Sequence, residues 1–295
     1  MEGAPKIAVV TDTTAYLPDE LSAELGIERI SLYVAVGDEQ QAESRISTGE
    51  YGSFFERLRQ SGAVATTSQP SVGDFVETWR PLLDAGRDVV SIHISAGISG
   101  TFGAATAARD HLIEGGLDAG RVTLLDSRSA CGGQGFLVIA AARAAQRGAD
   151  VEEVIAAAEQ ARRSLQMWFA IDTLDFLRRG GRIGSAQAWL GSALQIKPIL
   201  TLEEEITPVE RVRTRRRAFE RMVEFARQLE REGKTSWVVQ HIQDTETAER
   251  LVAACRSIFG NEPVFVSEVG PVIGSHVGPG LIGVGGLDPR ILTGE

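Results

Sequence analysis

The sequence predicts an α/β protein, with an N-terminal parallel-sheet α/β domain followed by a C-terminal α+β domain built on a mixed sheet. Three observations carry this. Short apolar, β-rich runs alternate with longer helical patterns through the first half, as in a parallel sheet covered on both faces. Two strand-like runs near residues 199–212 follow each other with no helix between them, which implies antiparallel or mixed pairing in the second half. The chain has 295 residues, 43% of them hydrophobic, enough for one large or two medium cores.

In order, residues 6–10 read as a strand and 18–25 as a helix with Pro18 near its start. Residues 27–36 look extended, and Thr48 is placed to cap a helix running to about Arg59. Ser71, three residues before Asp74, is a capping-box start for a helix to about Asp84. Strands near 88–94 and 122–125 alternate with helices near 101–113 and 133–147. Asp150 with Glu153 caps a further helix to about Arg163. Beyond it lie an extended run at 167–171, a Gly180-Gly181-Arg182 turn and a small-residue segment to Ser192. Strands near 199–202 and 206–212, a long amphipathic helix over 215–231, a strand at 237–241, a helix over 245–259 and a strand at 264–269 complete the pattern. The expected division is therefore residues 1–163, with a small extended insertion near 27–63, and residues 164–295.

Composition narrows the function. The net charge of −10 argues against nucleic acid or an anionic membrane as a general partner. Only two cysteines occur, Cys131 and Cys255, far apart and without metal-ligand spacing, which fits a reducing cytoplasm. The first apolar run is too short for a signal-peptide core, and no stretch is long enough to span a bilayer. A soluble cytoplasmic protein without metal or organic cofactor is expected.

In a parallel sheet, ligands bind beyond the carboxyl ends of the strands. Here those ends open into hydroxyl-rich turns: Thr11-Asp12-Thr13-Thr14, Ser95-Ala96-Gly97-Ile98-Ser99-Gly100-Thr101 and Asp126-Ser127-Arg128-Ser129. Ser99-Gly100-Thr101 lies between a strand and a helix, where N–H groups at a helix start favour an anion. A plain serine cap would look the same. In the Thr66-Thr67-Ser68-Gln69-Pro70-Ser71 loop, helix entry accounts for Ser71 and leaves Thr67 and Ser68 over. A third loop, 270–280, is crowded with Gly and Pro and holds one titratable residue, His276. Most arginines of the clusters at 178–182 and 211–221 have acids close by and read as a solvated, paired face.

Other motifs fail. Gly278-Pro279-Gly280-Leu281-Ile282-Gly283 matches G-x-G-x-x-G in form, but Pro occupies the turn and no ribose-binding acid follows. There is no P-loop and no G-x-S-x-G elbow. A Ser99–His276–Asp12 triad is left open. Cys131, beside Gly132-Gly133, reads as a small buried residue rather than a nucleophile.

Taken in order, these residues resemble the DegV family of bacterial fatty-acid-binding proteins. The landmarks run from Val9-Val10-Thr11-Asp12-Thr13-Thr14-Ala15 through Thr67-Ser68-Gln69-Pro70-Ser71, Ile98-Ser99-Gly100-Thr101 and Asp126-Ser127. They continue with Leu177-Arg178-Arg179-Gly180-Gly181-Arg182-Ile183, Ile196-Lys197-Pro198-Ile199-Leu200 and 270–280, so nearly the whole chain is covered. The resemblance implies a long-chain fatty acid between two domains. Its carboxylate would be held by Thr67 and Ser99 with His276, and Ser68, Gly100 and Thr101 belong to the same two elements. It places Arg182 near the head group and Arg213 near a partner-facing surface. The implied partner is a fatty-acid kinase that phosphorylates the bound acid for phospholipid synthesis, with no catalytic residue in this chain. Transient membrane contact is compatible with that role. A Ser/His-dependent hydrolase and a lipid-responsive sensor are the alternatives. Two segments depart from the family pattern, Gln41-Ala42-Glu43-Ser44-Arg45-Ile46 and Ser95-Ala96-Gly97, and both bear on the shape of the lid.

Overall fold

The computed structural model describes residues 5–61, 65–190 and 196–294. Strands β1 (Ile7–Asp12), β2 (Glu28–Ile30), β3 (Tyr33–Val36), β4 (Glu39–Ala42), β5 (Ala65–Ser68), β6 (Asp88–His93) and β7 (Val122–Asp126) belong to the first half. Among them stand helices α1 (Asp19–Leu25), α2 (Tyr51–Ser61), α3 (Val72–Asp84) and α4 (Thr101–Glu114), followed by α5 (Cys131–Gln146) and α6 (Val151–Ser164). Four strands form a parallel sheet in the order β2-β1-β6-β7. Their apolar residues alternate between two cores. Ile7, Val9, Val90 and Ile92 pack against α5 and α6, whereas Ala8, Val10, Val89 and Val122 pack against α3 and α4. The strand order reverses between β1 and β6, so a crevice opens at their carboxyl ends.

The extended insertion is a three-stranded antiparallel sheet, β4-β3-β5. This corrects one expectation: Thr66, Thr67 and Ser68 lie on a strand, not in a loop. Thr67 pairs with Val34, and the β-branched residues suit that edge. The helix before it begins with a 3₁₀ turn, and Ser47 with Glu50, rather than Thr48, forms its capping box. The capping boxes at Ser71/Asp74 and Asp150/Glu153 are present as expected.

The second half holds β8 (Gln166–Ala170), α7 (Asp175–Arg179), β9 (Lys197–Glu203), β10 (Glu205–Val212), α8 (Arg215–Arg231) and β11 (Ser236–His241). It ends with α9 (Thr245–Phe259), β12 (Phe265–Glu268), α10 (Pro271–Val277), β13 (Ile282–Leu287) and α11 (Pro289–Thr293). Six strands form the mixed sheet β10-β9-β8-β13-β11-β12, in which only the β11–β12 pair is parallel. The last two residues of the small-residue segment, Gly191 and Ser192, lie outside the described residues.

Two elements here differ from expectation. The 270–280 stretch is not all loop: Pro271 sits at the first helical position, where its missing N–H costs nothing, and α10 follows. And β13, unanticipated, runs between β8 and β11. Its glycines hide the β pattern, yet the packing requires them. A Cβ on Gly285 would stand 2.8 Å from Met167 Cε, and one on Gly286 2.7 Å from the Lys234 carbonyl oxygen. The chain then returns to the first half, where Leu292 of α11 joins the core around α5 and α6.

Candidate functional site

One face of the six-stranded sheet packs on α8 and α9 through Ala170, Ile199, Trp237, Val239, Ile282 and Val284. The opposite face, by alternation, presents Met167, Phe169, Leu202, Val238, Gln240 and Gly283 to a largely apolar cavity. Its walls are Leu32, Ile94 and Ile98 from the parallel-sheet side, Ala130 and Cys131 at the start of α5, and Val272, Ile273 and Val277 of α10. Leu281 and Gly283 line it, and Met167 and Val238 stand level with Gly285. Gly283 is thus the point at which β13 meets the cavity floor, with Leu281 just ahead of the strand. Among the described residues, no helix is long and apolar enough to cross a membrane.

The cavity's polar lining includes Thr67, Ser68, Gln69, Ser99, Arg182 and His276. Thr67 Oγ1 lies 2.7 Å from His276 Nε2, although the two are 209 residues apart in sequence. Ser99 Oγ lies 2.9 Å from Thr101 Oγ1 and accepts the Thr101 N–H at 3.3 Å. Thr101 is fully buried and does not itself line the cavity, so it bears on the site only through Ser99. Gly100 is the N-cap of α4 and also lines the cavity. The Gln69 carboxamide packs against it, so the end of β5 meets the turn after β6. Ser68 Oγ accepts from Gln40 Nε2 at 2.9 Å.

Arg182 fastens this end. Its Nε donates to the Ile98 carbonyl at 3.2 Å and its Nη1 to the Gly180 carbonyl at 2.7 Å. Gly180, two residues earlier, has a steric reason, because a Cβ on it would overlap His276 Nδ1. Burial pushes the His276 imidazole down to about 4, and the Arg182 charge pushes the same way. The ring is therefore neutral at pH 7. Burial raises the Cys131 thiol, and the charges of Glu43 and Asp12 add to it, so it stays protonated and unreactive.

The open triad resolves otherwise than Ser99–His276–Asp12. Asp12 Oδ2 accepts from His93 Nδ1 and from the Ile94 N–H, each at 3.0 Å, and Ser91 Oγ lies 2.7 Å from His93 Nε2. All three side chains are fully buried, and none lines the cavity. His276 thus has no acid behind it: its Nδ1 is buried without a hydrogen-bond partner.

Arg213 is exposed before α8 and does not line the cavity. Its neighbours are engaged. Arg211 lies over the Trp189 ring, Arg215 pairs with Asp172, and Arg216, Arg217 and Arg221 pair with glutamates. Among the described residues of this cluster, Arg213 is left without an ion pair or ring contact. Sequence reasoning missed Gln69 and Gln240 as lining residues. Gln69 could have been found from its place between Ser68 and Pro70, whereas nothing distinguishes Gln240 before the sheet register is known.

The model of the DegV family, described as an uncharacterised protein family, matches residues 6–287. The chain belongs to the DegV family. A DegV domain-containing protein of Streptomyces coelicolor is 40% identical over 283 residues, covering 94% of this chain and 97% of that protein. Two solved structures are alike throughout. DegV of Bacillus subtilis, described as a fatty acid binding protein, superposes with a TM-score of 0.83 at 33% identity, covering 96% of this chain and 100% of that one. A DegV family protein from Thermus thermophilus, described by its fatty acid binding, gives 0.81 at 34% identity, with 96% and 99% covered. The paired parallel and mixed sheets are thus the DegV fold.

Proposed function

We propose that this chain binds a long-chain fatty acid in the cavity, with the carboxylate at the Thr67–His276 end. The observation that carries this is a neutral imidazole hydrogen-bonded to a hydroxyl at the edge of an apolar cavity. We assign the His276 tautomer with hydrogen on Nε2, donating to Thr67 Oγ1. The Thr67 hydroxyl hydrogen is then free to point at an anion. Ser99, oriented by Thr101, supplies a second hydroxyl, and Ser68 and the backbone at Gly100 complete the surround. A carboxylate in apolar surroundings is costly unless it accepts such bonds, and Arg182 adds a compensating charge nearby. Each buried methylene contributes roughly 0.8 kcal/mol, so the alkyl chain gives most of the affinity and the hydroxyls set orientation.

In this reading the protein is a carrier without turnover of its own. No acid orients His276 towards Ser99, since Asp12 is committed to His93. The bound acid is presented to a fatty-acid kinase, whose acyl-phosphate product feeds phospholipid synthesis, and Arg213 belongs to the face the kinase meets. That arginine is exposed and uncommitted, as a docking cation should be. Native mass spectrometry of the purified chain tests the binding reading: a retained mass in the fatty-acid range is expected. An empty chain with esterase turnover would sink it.

A further inference from the structure

We infer that Glu43 and Tyr16 form a positioning pair that seats α10 and, through it, holds His276 at the head-group end of the cavity. The ligand arm of the test below rests on the fatty-acid reading; the rest stands on geometry alone. Helix α10 has no cap of its own. Gly270 offers no side chain, Pro271 has no N–H, and the first intrahelical bond is that from the Gly274 N–H to the Gly270 carbonyl, at 2.9 Å. The two remaining amides of the first turn are taken up from far away in sequence. Val272 N–H donates to Glu43 Oε1 at 2.8 Å across 229 residues, and Ile273 N–H to the Tyr16 hydroxyl at 3.2 Å across 257. The Tyr16 hydroxyl in turn donates to Glu43 Oε1 at 2.8 Å. Glu43 is 2% exposed and Tyr16 7%, so no solvent can replace these bonds.

The consequence reaches the site within one turn. Val272 and His276 are four residues apart on the same helix, so they lie on neighbouring positions of one face. Glu43 stands in the turn after β4, and its own N–H donates to the Leu32 carbonyl at 2.9 Å. The small sheet therefore grips α10 twice, through Glu43 at the start of the helix and through Thr67 at its end. The bonds from Val272 and Tyr16 both fall on one carboxylate oxygen, Glu43 Oε1. A glutamine keeps the needed acceptor, whereas an alanine removes it.

The test compares Glu43→Gln, Glu43→Ala and Tyr16→Phe in the full chain stripped of lipid. Amide exchange at Val272 and Ile273 and the ring nitrogen shifts of His276 are read by NMR. Glu43→Ala should speed exchange at both amides about tenfold or more and move the His276 resonances, while Glu43→Gln restores both. Unchanged resonances in Glu43→Ala, or a glutamine variant as defective as alanine, would overturn the assignment. Should Glu43→Ala fail to fold, Tyr16→Phe decides: faster exchange at Ile273 supports the pair and wild-type exchange overturns it. Palmitate labelled at its carboxyl carbon is then added. The bound carboxyl resonance should match wild type in the glutamine variant and shift in any folded alanine or phenylalanine variant. A wild-type chain showing no bound resonance would refute the fatty-acid reading and leave the exchange result to judge the pair.

Discussion

Two histidines in this chain each lie 2.7 Å from a hydroxyl, His93 from Ser91 and His276 from Thr67, and they serve different ends. His93 is sealed. Asp12 stands behind it, Phe75 meets its ring edge-on at 5.2 Å, and no atom of it reaches solvent. His276 has a neighbouring arginine in place of an acid, and it faces a cavity rather than a packed core. The pairing of imidazole with hydroxyl is therefore not what makes a site. A closed network with every atom satisfied ties strands together, and on the proposed reading the unfinished one beside an apolar space receives the ligand.

The difference should appear most strongly in stability. Asp12→Ala leaves the Ile94 amide and His93 without their acceptor and should cost about 3 kcal/mol in urea unfolding. A cost below about 1 kcal/mol would show that the network is no strut. Asp12 also predicts acid sensitivity. Burial pushes its carboxyl up, but the His93 bond and charge, the Thr14 hydroxyl and the Ile94 amide outweigh this, and the net shift is downward from 3.8. A carboxyl lowered in the fold stabilises above its ordinary value, and that contribution is lost as pH falls below 3.8 through the lowered one.

Thr67→Ala should behave in the opposite way, with stability changed by less than about 1 kcal/mol and a labelled fatty acid released about tenfold faster. Equal destabilisation by Thr67→Ala and Asp12→Ala would erase the distinction between the two networks. A smaller effect is the His276 titration. In the empty protein its ring should titrate near 4, and a midpoint close to 6.5 by NMR would mean that the ring is not desolvated. Because the folded value is lowered, its contribution to stability is complete above 6.5 and erodes as pH falls towards 4. Smallest of all, if the proposed kinase partner is right, Arg213→Ala should leave acid binding unchanged and slow phosphorylation of the bound acid. Unimpaired phosphorylation would remove Arg213 from the docking face.

Much of the fold was legible because local chemistry and tertiary packing agree. The helices over Arg215–Arg231 and Thr245–Phe259 have the bounds their apolar spacing predicts. Legibility failed where a neighbour, not the segment itself, decides the conformation. The glycines of β13 are set by Met167 and Lys234, and the start of α10 is completed by Glu43 and Tyr16. At the site, the hydroxyl turn after β6 could be read from strand-end logic. Meeting Thr67 with His276 needed the family resemblance, since no local pattern links residues 209 apart.

The floor of the cavity has a thermodynamic consequence. Where β13 passes beneath it, Gly283 contributes no side chain, and on the proposed reading a bound acid fills that part of the interior. An alkyl chain lying there would do the work of core residues that the gene does not encode. Folding and loading then become one equilibrium. The melting temperature should rise with free fatty acid, following a gain of about 2.7 kcal/mol at a hundredfold excess over Kd. The chain's resistance to unfolding would thus report how much lipid surrounds it.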